Sequence, residues 1–143
     1  MRAVTYRGAC QCGAVSAEIS GEPLAVRQCW CRQCQQAAAG GPTHNAQFRT
    51  EDVALSGALS SYSYLAASGN TLIQSYCSVC GTPVMGQSSA RPQFRTLRLG
   101  FLEAGTGLRP QTAIWTEEAP SWAQIDPALE QHRRQPPAPP SLS

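Results

Sequence analysis

Apolar positions in this chain recur mainly at every second residue, in short runs interrupted by glycine and proline. Val15, Ala17 and Ile19 alternate with polar or small neighbours, the pattern of a strand with one face buried. Gly21-Glu22-Pro23 reads as a turn, and residues 24–28 as a second strand that delivers Cys29. From Cys31 to Ala39 the residues are good helix formers and Gly40-Gly41-Pro42 stops them, which predicts one short helix carrying Cys34. Residues 43–57 read as short strands with Phe48, Val53 and Leu55 inward. Residues 59–65 read as a further strand with Tyr62 and Tyr64 on one face. Ser68-Gly69-Asn70 then makes a hairpin-type turn into a strand over 71–76, which runs into Cys77. Alternation returns over 94–101, a loop covers 105–110, and a last strand covers 112–116.

Many short strands with turns between them and one short helix predict an all-β, sandwich-like domain built from antiparallel short strands. No internal repeat or internal boundary interrupts it, so residues 1–130 are read as a single domain. Residues 131–143 contain four prolines and few apolar residues, a composition that cannot form a core and is expected as a disordered Pro-rich tail. A docking Pro-rich ligand is the other reading of that tail.

Composition narrows the class further. Charged residues make up only 14% of the 143, below the usual quarter or so for soluble domains, which favours a neutral-surfaced β fold. The net charge is +2 and the basic residues, all arginine, are scattered, so no basic stripe suggests nucleic acid as a partner. No apolar run approaches the ~20 residues of a membrane helix, and the N-terminal residues lack the apolar segment of a signal peptide. A cytoplasmic location with reduced thiols is therefore expected.

The cysteines carry the candidate chemistry. There are seven, an odd number, which leaves one over in any pure disulfide scheme. Cys29-Trp30-Cys31-Arg32-Gln33-Cys34 places three thiols within six residues, so a turn and one helical turn can aim them at one point. Cys77-Ser78-Val79-Cys80-Gly81 reads as a zinc knuckle, in which the glycine can take φ > 0 and turn backbone N–H groups toward sulfur. A redox pair is the other use of such a spacing, but no βαβ pattern surrounds it. Cys10 and Cys12, also followed by a glycine, supply the two further ligands that close a four-thiolate site. Cys29, Cys31 and Cys34 then have no fourth thiol. Either His44 completes a second structural site, or the fourth position is open to an exogenous thiolate or water, as a catalytic zinc requires. Trp30, between two ligands, is expected to line the pocket of such a site, with a buried packing role as the alternative.

G-A-C-Q-C-G-A-V at 8–15, C-W-C-R-Q-C at 29–34, C-S-V-C-G-T-P at 77–83 and I-W-T-E-E-A-P-S-W at 114–122 resemble the glutathione-dependent formaldehyde-activating enzyme family, also called the centromere protein V type. The resemblance implies a β-tent fold with zinc bound in the strand turns, and two zinc ions per chain. Cys10, Cys12, Cys77 and Cys80 would hold a structural zinc; Cys29, Cys31 and Cys34 would hold a catalytic one. It further implies carbon–sulfur lyase chemistry on a small thiol, glutathione or its aldehyde adduct S-hydroxymethylglutathione, and is compatible with a homodimer. The family commonly carries His where this chain has Trp30, and basic residues where it has Gln35 and Gln36. A zinc-stabilised binding module without chemistry and a zinc-storage role are the alternatives to the enzyme.

Overall fold

The computed structural model describes residues 3–137. In chain order its strands are β1 (Tyr6–Ala9), β2 (Ser16–Ile19), β3 (Ala25–Cys29), β4 (Thr43–Arg49), β5 (Val53–Ser56), β6 (Leu59–Leu65), β7 (Thr71–Cys77), β8 (Pro83–Ser88), β9 (Phe94–Arg98), β10 (Thr112–Ile114) and β11 (Glu130–Gln131). The helix α1 (Arg32–Ala37) lies between β3 and β4. The domain is all-β, as the alternation predicts. Among the described residues no helix is long and apolar enough to cross a membrane.

Two sheets share the chain. A small one has the order β1-β2-β5, and a large one has the order β11-β10-β3-β4-β9-β8-β7-β6. The expectation of antiparallel strands holds for most of these neighbours. It does not hold for β10, which runs parallel to β3 on one side and to β11 on the other. Residues 30–111 separate β3 from β10, so the chain has length to come round and enter in the same direction.

Register decides what each face of the large sheet carries. Val26 pairs with Ala46, Ala46 with Leu97 and Leu97 with Met85, which puts these four on one face. They pack with Val15, Ala17, Ile19 and Phe48 into the main core. The small sheet contributes through the alternation read from its sequence: Ala17 and Ile19 are buried while Ser16 and Glu18 are exposed. Phe48, Phe101, Ile19, Leu97 and Val15 are almost wholly removed from solvent, and side chains of this kind stabilise by about 1.5–3 kcal/mol each. On the other face, Cys29 pairs with Thr43, Arg27 with Asn45, Asn45 with Arg98, and Gln74 with Gly86 on one side and Tyr62 on the other. That face is polar along its length.

Residues beyond 130 are described as far as 137. Gln131 lies beside Ala113 in the β10–β11 pair, and the His132 and Gln135 region follows the same edge: His132 N–H donates to Ala113 O at 2.9 Å, and Trp115 Nε1 donates to Gln135 Oε1 at 3.2 Å. His132 also sits 3.1 Å from Glu130. The rest of the expected Pro-rich tail, 138–143, lies outside the described residues.

Gly57 is where the chain leaves the small sheet for the large one. Its φ is +108°, and a Cβ there would lie 2.1 Å from Ala14 O and 2.9 Å from Val15 Cα, both backbone. Gly69, in the β6–β7 turn, also has positive φ (+88°) but open space around it. Gly57→Ala should therefore cost on the order of 3 kcal/mol or more, from strain and clash together. Gly69→Ala should cost about 1 kcal/mol, from backbone strain alone. Urea unfolding of the two zinc-loaded variants measures the difference, and equal losses would contradict the close approach at Gly57.

Candidate metal centres

The first cluster joins the two sheets. Cys10 and Cys12 lie in the β1–β2 turn of the small sheet, and Cys77 and Cys80 at the β7–β8 turn of the large one. The four sulfurs lie within 4.8 Å of one another. Cys10 and Cys12 Sγ are 3.7 Å apart, and Cys12 and Cys77 Sγ 3.8 Å, across 65 residues of chain. Zn–S bonds of about 2.3 Å make a tetrahedron with edges of about 3.8 Å, so this donor set fits zinc.

Each half of the cluster is a turn closed by glycine. Gly13 N–H donates to Cys10 O and Gly81 N–H to Cys77 O, at φ near +80° in both glycines. Backbone N–H groups then point at sulfur: Val15 N lies 3.2 Å from Cys10 Sγ, and Val79 N 3.3 Å from Cys77 Sγ. Thr82 of the C-S-V-C-G-T-P segment accepts from Gln11 N at 3.2 Å and lies 3.1 Å from Cys80 Sγ, so its O–H proton is free for that sulfur. The Thr82 side chain, then its backbone N–H, bring the Cys80 thiol down to about 5. Negative sulfur is thus stabilised here by the chain itself.

The second cluster sits on the polar face of the large sheet. Cys29 ends β3, Cys31 is the N-cap of α1 with its sulfur accepting from Cys34 N at 3.4 Å, and Cys34 lies one turn into the helix. The three sulfurs lie within 4.8 Å of one another. The expected helix over 31–39 is therefore shorter, ending where Ala39 and Gly40 take positive φ. Cys34 is brought down to about 3, first by hydrogen bonds from the Cys29 and Cys31 thiols, with Thr43 and the Arg98 charge adding to the effect. Donation to its neighbours' sulfurs and burial push Cys29 far up, and Cys31 stands at about 11.

His44 does not complete this cluster. Cys29 pairs with Thr43 across the β3–β4 ladder, so His44 projects to the opposite face, where its Nε2 lies 3.0 Å from Gln28 Nε2. Burial holds its pKa below the usual histidine range, so the ring accepts from the Gln28 amide as neutral imidazole. Trp30 does not line a pocket either. It is only 3% exposed, and its Nε1 donates to Gln28 Oε1 at 2.9 Å. Among the described residues, no fourth His, Cys, Asp or Glu joins the three thiols.

The closing I-W-T-E-E segment supports the cluster from the parallel strand β10. Ile114 lies beside Cys29 and accepts from Trp30 N at 3.0 Å. Ile114 and Trp115 pack with Cys29, Cys31 and Cys34. Trp115 takes a left-handed φ of 57°, turning the chain so that Glu118 Oε2 accepts from Arg32 N at 2.7 Å and holds the first turn of α1. Gln35 is buried, with its amide donating to Trp30 O at 2.8 Å and Glu118 O at 2.9 Å. It is a clamp on the helix rather than a contact for ligand.

Residues that sequence reading passed over surround the three thiols. Arg98 on β9 donates to Asn45 Oδ1 and to Gln74 Oε1. Asn45 Nδ2 donates to Thr43 Oγ1 at 2.9 Å, and Gln74 Nε2 to Tyr64 OH at 3.2 Å. Arg27 shares this face and is held below its ordinary pKa first by burial, then by the Arg91 charge. Neither Arg27 nor Arg98 forms an ion pair among the described residues. A cleft of about 420 Å³ opens between α1, the helix that carries Cys34, and β6, lined by Gln33, Gln36, Ala37, Tyr62, Tyr64 and Leu65. The available sequence signal was polar alternation at Thr43, Asn45 and Gln47 on a strand whose Ala46 and Phe48 are apolar and buried.

A crystal structure of a Rhodobacter sphaeroides protein from a structural genomics programme is similar in fold, with a TM-score of 0.55 and 26% identity over 73% of this chain and 91% of that one. No curated protein matches the chain. The family model described as glutathione-dependent formaldehyde-activating enzyme matches residues 5–118, a span that holds both cysteine clusters and the segment bracing the second. The chain belongs to the glutathione-dependent formaldehyde-activating enzyme family.

Proposed function

We propose that this protein is a zinc-dependent enzyme of carbon–sulfur lyase type that joins and separates a small thiol and an aldehyde at the Cys29, Cys31 and Cys34 centre. Glutathione, or its adduct with formaldehyde, is the substrate the family suggests. Cys10, Cys12, Cys77 and Cys80 hold a structural zinc in this reading. The observation that carries it is the second cluster's donor set: three thiols with no fourth protein ligand among the described residues, on the helix whose Gln33, Gln36 and Ala37 line a cleft.

Zinc held by three thiolates supplies a centre of net charge −1 that can take one further thiolate and lower that thiol's pKa. The chain's own residues do the rest. Arg98 and Arg27, on the same face and without ion-pair partners among the described residues, offset the charge an incoming thiolate adds. Gln33, Gln36 and the tyrosines of the cleft offer neutral polar and aromatic surface to the remainder of the thiol. In the condensing direction, sulfur forms a bond to the aldehyde carbon and the C=O π pair moves to oxygen. The proton given up by the thiol ends on that oxygen. The reverse breaks the C–S bond and returns thiol and aldehyde.

Two zinc ions per chain are expected from metal analysis, and a graded chelator should remove them in two steps, the three-thiolate ion first. His44→Ala should leave the stoichiometry unchanged, since its ring lies on the opposite face of the sheet. Cys77→Ser should unfold the protein or leave it insoluble. A structural zinc contributes on the order of 10 kcal/mol, against roughly 5–15 kcal/mol for a whole domain. Cys31→Ser should melt near wild type, keep one zinc and lose activity. The activity is read as faster exchange of glutathione and formaldehyde with S-hydroxymethylglutathione in NMR exchange spectra. If zinc-loaded wild type does not accelerate this exchange for glutathione or for other small thiols, the protein is a zinc-stabilised binding module. If Cys31→Ser unfolds it as badly as Cys77→Ser, the second site is structural.

A further inference from the structure

Arg98 has two acceptors, and its chemistry leaves the direction of both hydrogen bonds without choice. A guanidinium only donates, so each amide next to it must present its oxygen. Asn45 therefore turns its NH₂ to Thr43 Oγ1, and Gln74 turns its NH₂ to Tyr64 OH. Both hydroxyl oxygens are then acceptors, and both hydroxyl protons are left to point onward. That of Thr43 goes to the Cys34 sulfur. The phenol proton of Tyr64 has no acceptor among the described residues, and Tyr64 lines the cleft beside the three thiols.

The surroundings are shaped for this arrangement. Gly86 lies under Gln74, and a Cβ there would come within 2.8 Å of Gln74 Oε1, so a side chain at 86 would push the amide away from Arg98. Tyr64 stacks on Tyr62, with ring centroids 6.4 Å apart. Gln33 and Gln36, across the cleft, flank Cys34 on α1. The phenol stays protonated, its pKa raised to about 12 first by burial, with Cys31 and Cys34 close enough for their charge to add to the rise.

We infer that Tyr64 is a catalytic residue that donates its O–H hydrogen bond to the oxygen on the carbon bearing the substrate sulfur, and that Arg98 and Gln74 are positioning residues that set the direction of that bond. One node thus serves both ends of the reacting S–C–O unit, steadying Cys34 through Asn45 and Thr43 and aiming Tyr64 through Gln74. This inference rests on the reading that a thiol binds at the second centre.

The test uses cobalt(II)-loaded protein, in which thiolate binding at the second centre changes the visible absorbance. Thioacetate carries an oxygen on the carbon next to sulfur, and ethanethiol does not. The ratio of their affinities is measured in wild type, Tyr64→Phe and Gln74→Glu. The carboxylate introduced by Gln74→Glu still accepts from Arg98 but also accepts the Tyr64 proton, which reverses the bond without removing the phenol. Both variants should lower the thioacetate-to-ethanethiol ratio by about three- to tenfold, the worth of one hydrogen bond. Gln74→Glu sets a carboxylate against Arg98 and should weaken both thiolates together, so the ratio and not either affinity carries the test; measurable ethanethiol binding in each variant reports that the site is intact. An unchanged ratio in Tyr64→Phe, or in Gln74→Glu, overturns the inference while leaving the thiol site standing. Binding of neither thiol to wild type overturns the proposed function and this inference with it.

Discussion

Cys12 and Cys77 bring their sulfurs to 3.8 Å across 65 residues, joining a turn of the small sheet to a turn of the large one. Cys12 is exposed, so burial does not explain why its sulfur lies beside that of Cys77. The β1–β2 turn offers two thiols and the β7–β8 turn offers two, a set of four donors that could hold one metal ion. Closing so long a loop is entropically costly, a cost that one tetrahedral ion on these four thiols would offset with four bonds at once. Cys10 and Cys77 are themselves part of the main core, so metal coordination and apolar packing are joined in the same side chains.

The second centre depends on the first at one remove. Its own ligands are local in sequence and need only the end of β3 and the first turn of α1. What surrounds them is not local. Arg98 comes from β9, Gln74 from β7, Tyr64 from β6 and Glu118 from the segment after β10, so the site is complete only when the large sheet is in register. A one-residue slip in β4 would send Thr43 and Asn45 to the core face and His44 to the thiols. The stapled sheets keep that register, and the open side of the cluster follows from it.

The two clusters also differ in how they treat sulfur. Around Cys10, Cys77 and Cys80 the stabilising partners are mostly backbone N–H groups held in glycine-closed turns, a fixed geometry. Around Cys34 they are side chains, Thr43 and the more distant Arg98, linked through amides and bordered by a cleft. Rigid backbone suits a closed site. A side-chain network with a free phenol proton at its edge suits one that exchanges a ligand.

Most of the strands, the short helix, the three cysteine groups and their division into four and three were legible in the amino-acid sequence; β8 and β11 were not. Alternation of Ala17 and Ile19 with polar neighbours, glycines after Cys12 and Cys80, and the C-x-C-x-x-C spacing are local patterns, and local backbone geometry is enough to interpret them. Three things required the tertiary structure. His44 and Cys29 are near in sequence, but the pairing of Cys29 with Thr43 put the histidine on the other face. Trp30 sits between two ligands, yet its indole found Gln28 in the interior. Arg98, Gln74 and Tyr64 read singly as polar residues on strands, and only the order β9-β8-β7-β6 turned them into one connected path to the thiols. Spacing along the chain determines which atoms can share a metal ion. Which side chains face that ion is set by strand register and sheet order, through contacts between residues far apart in sequence.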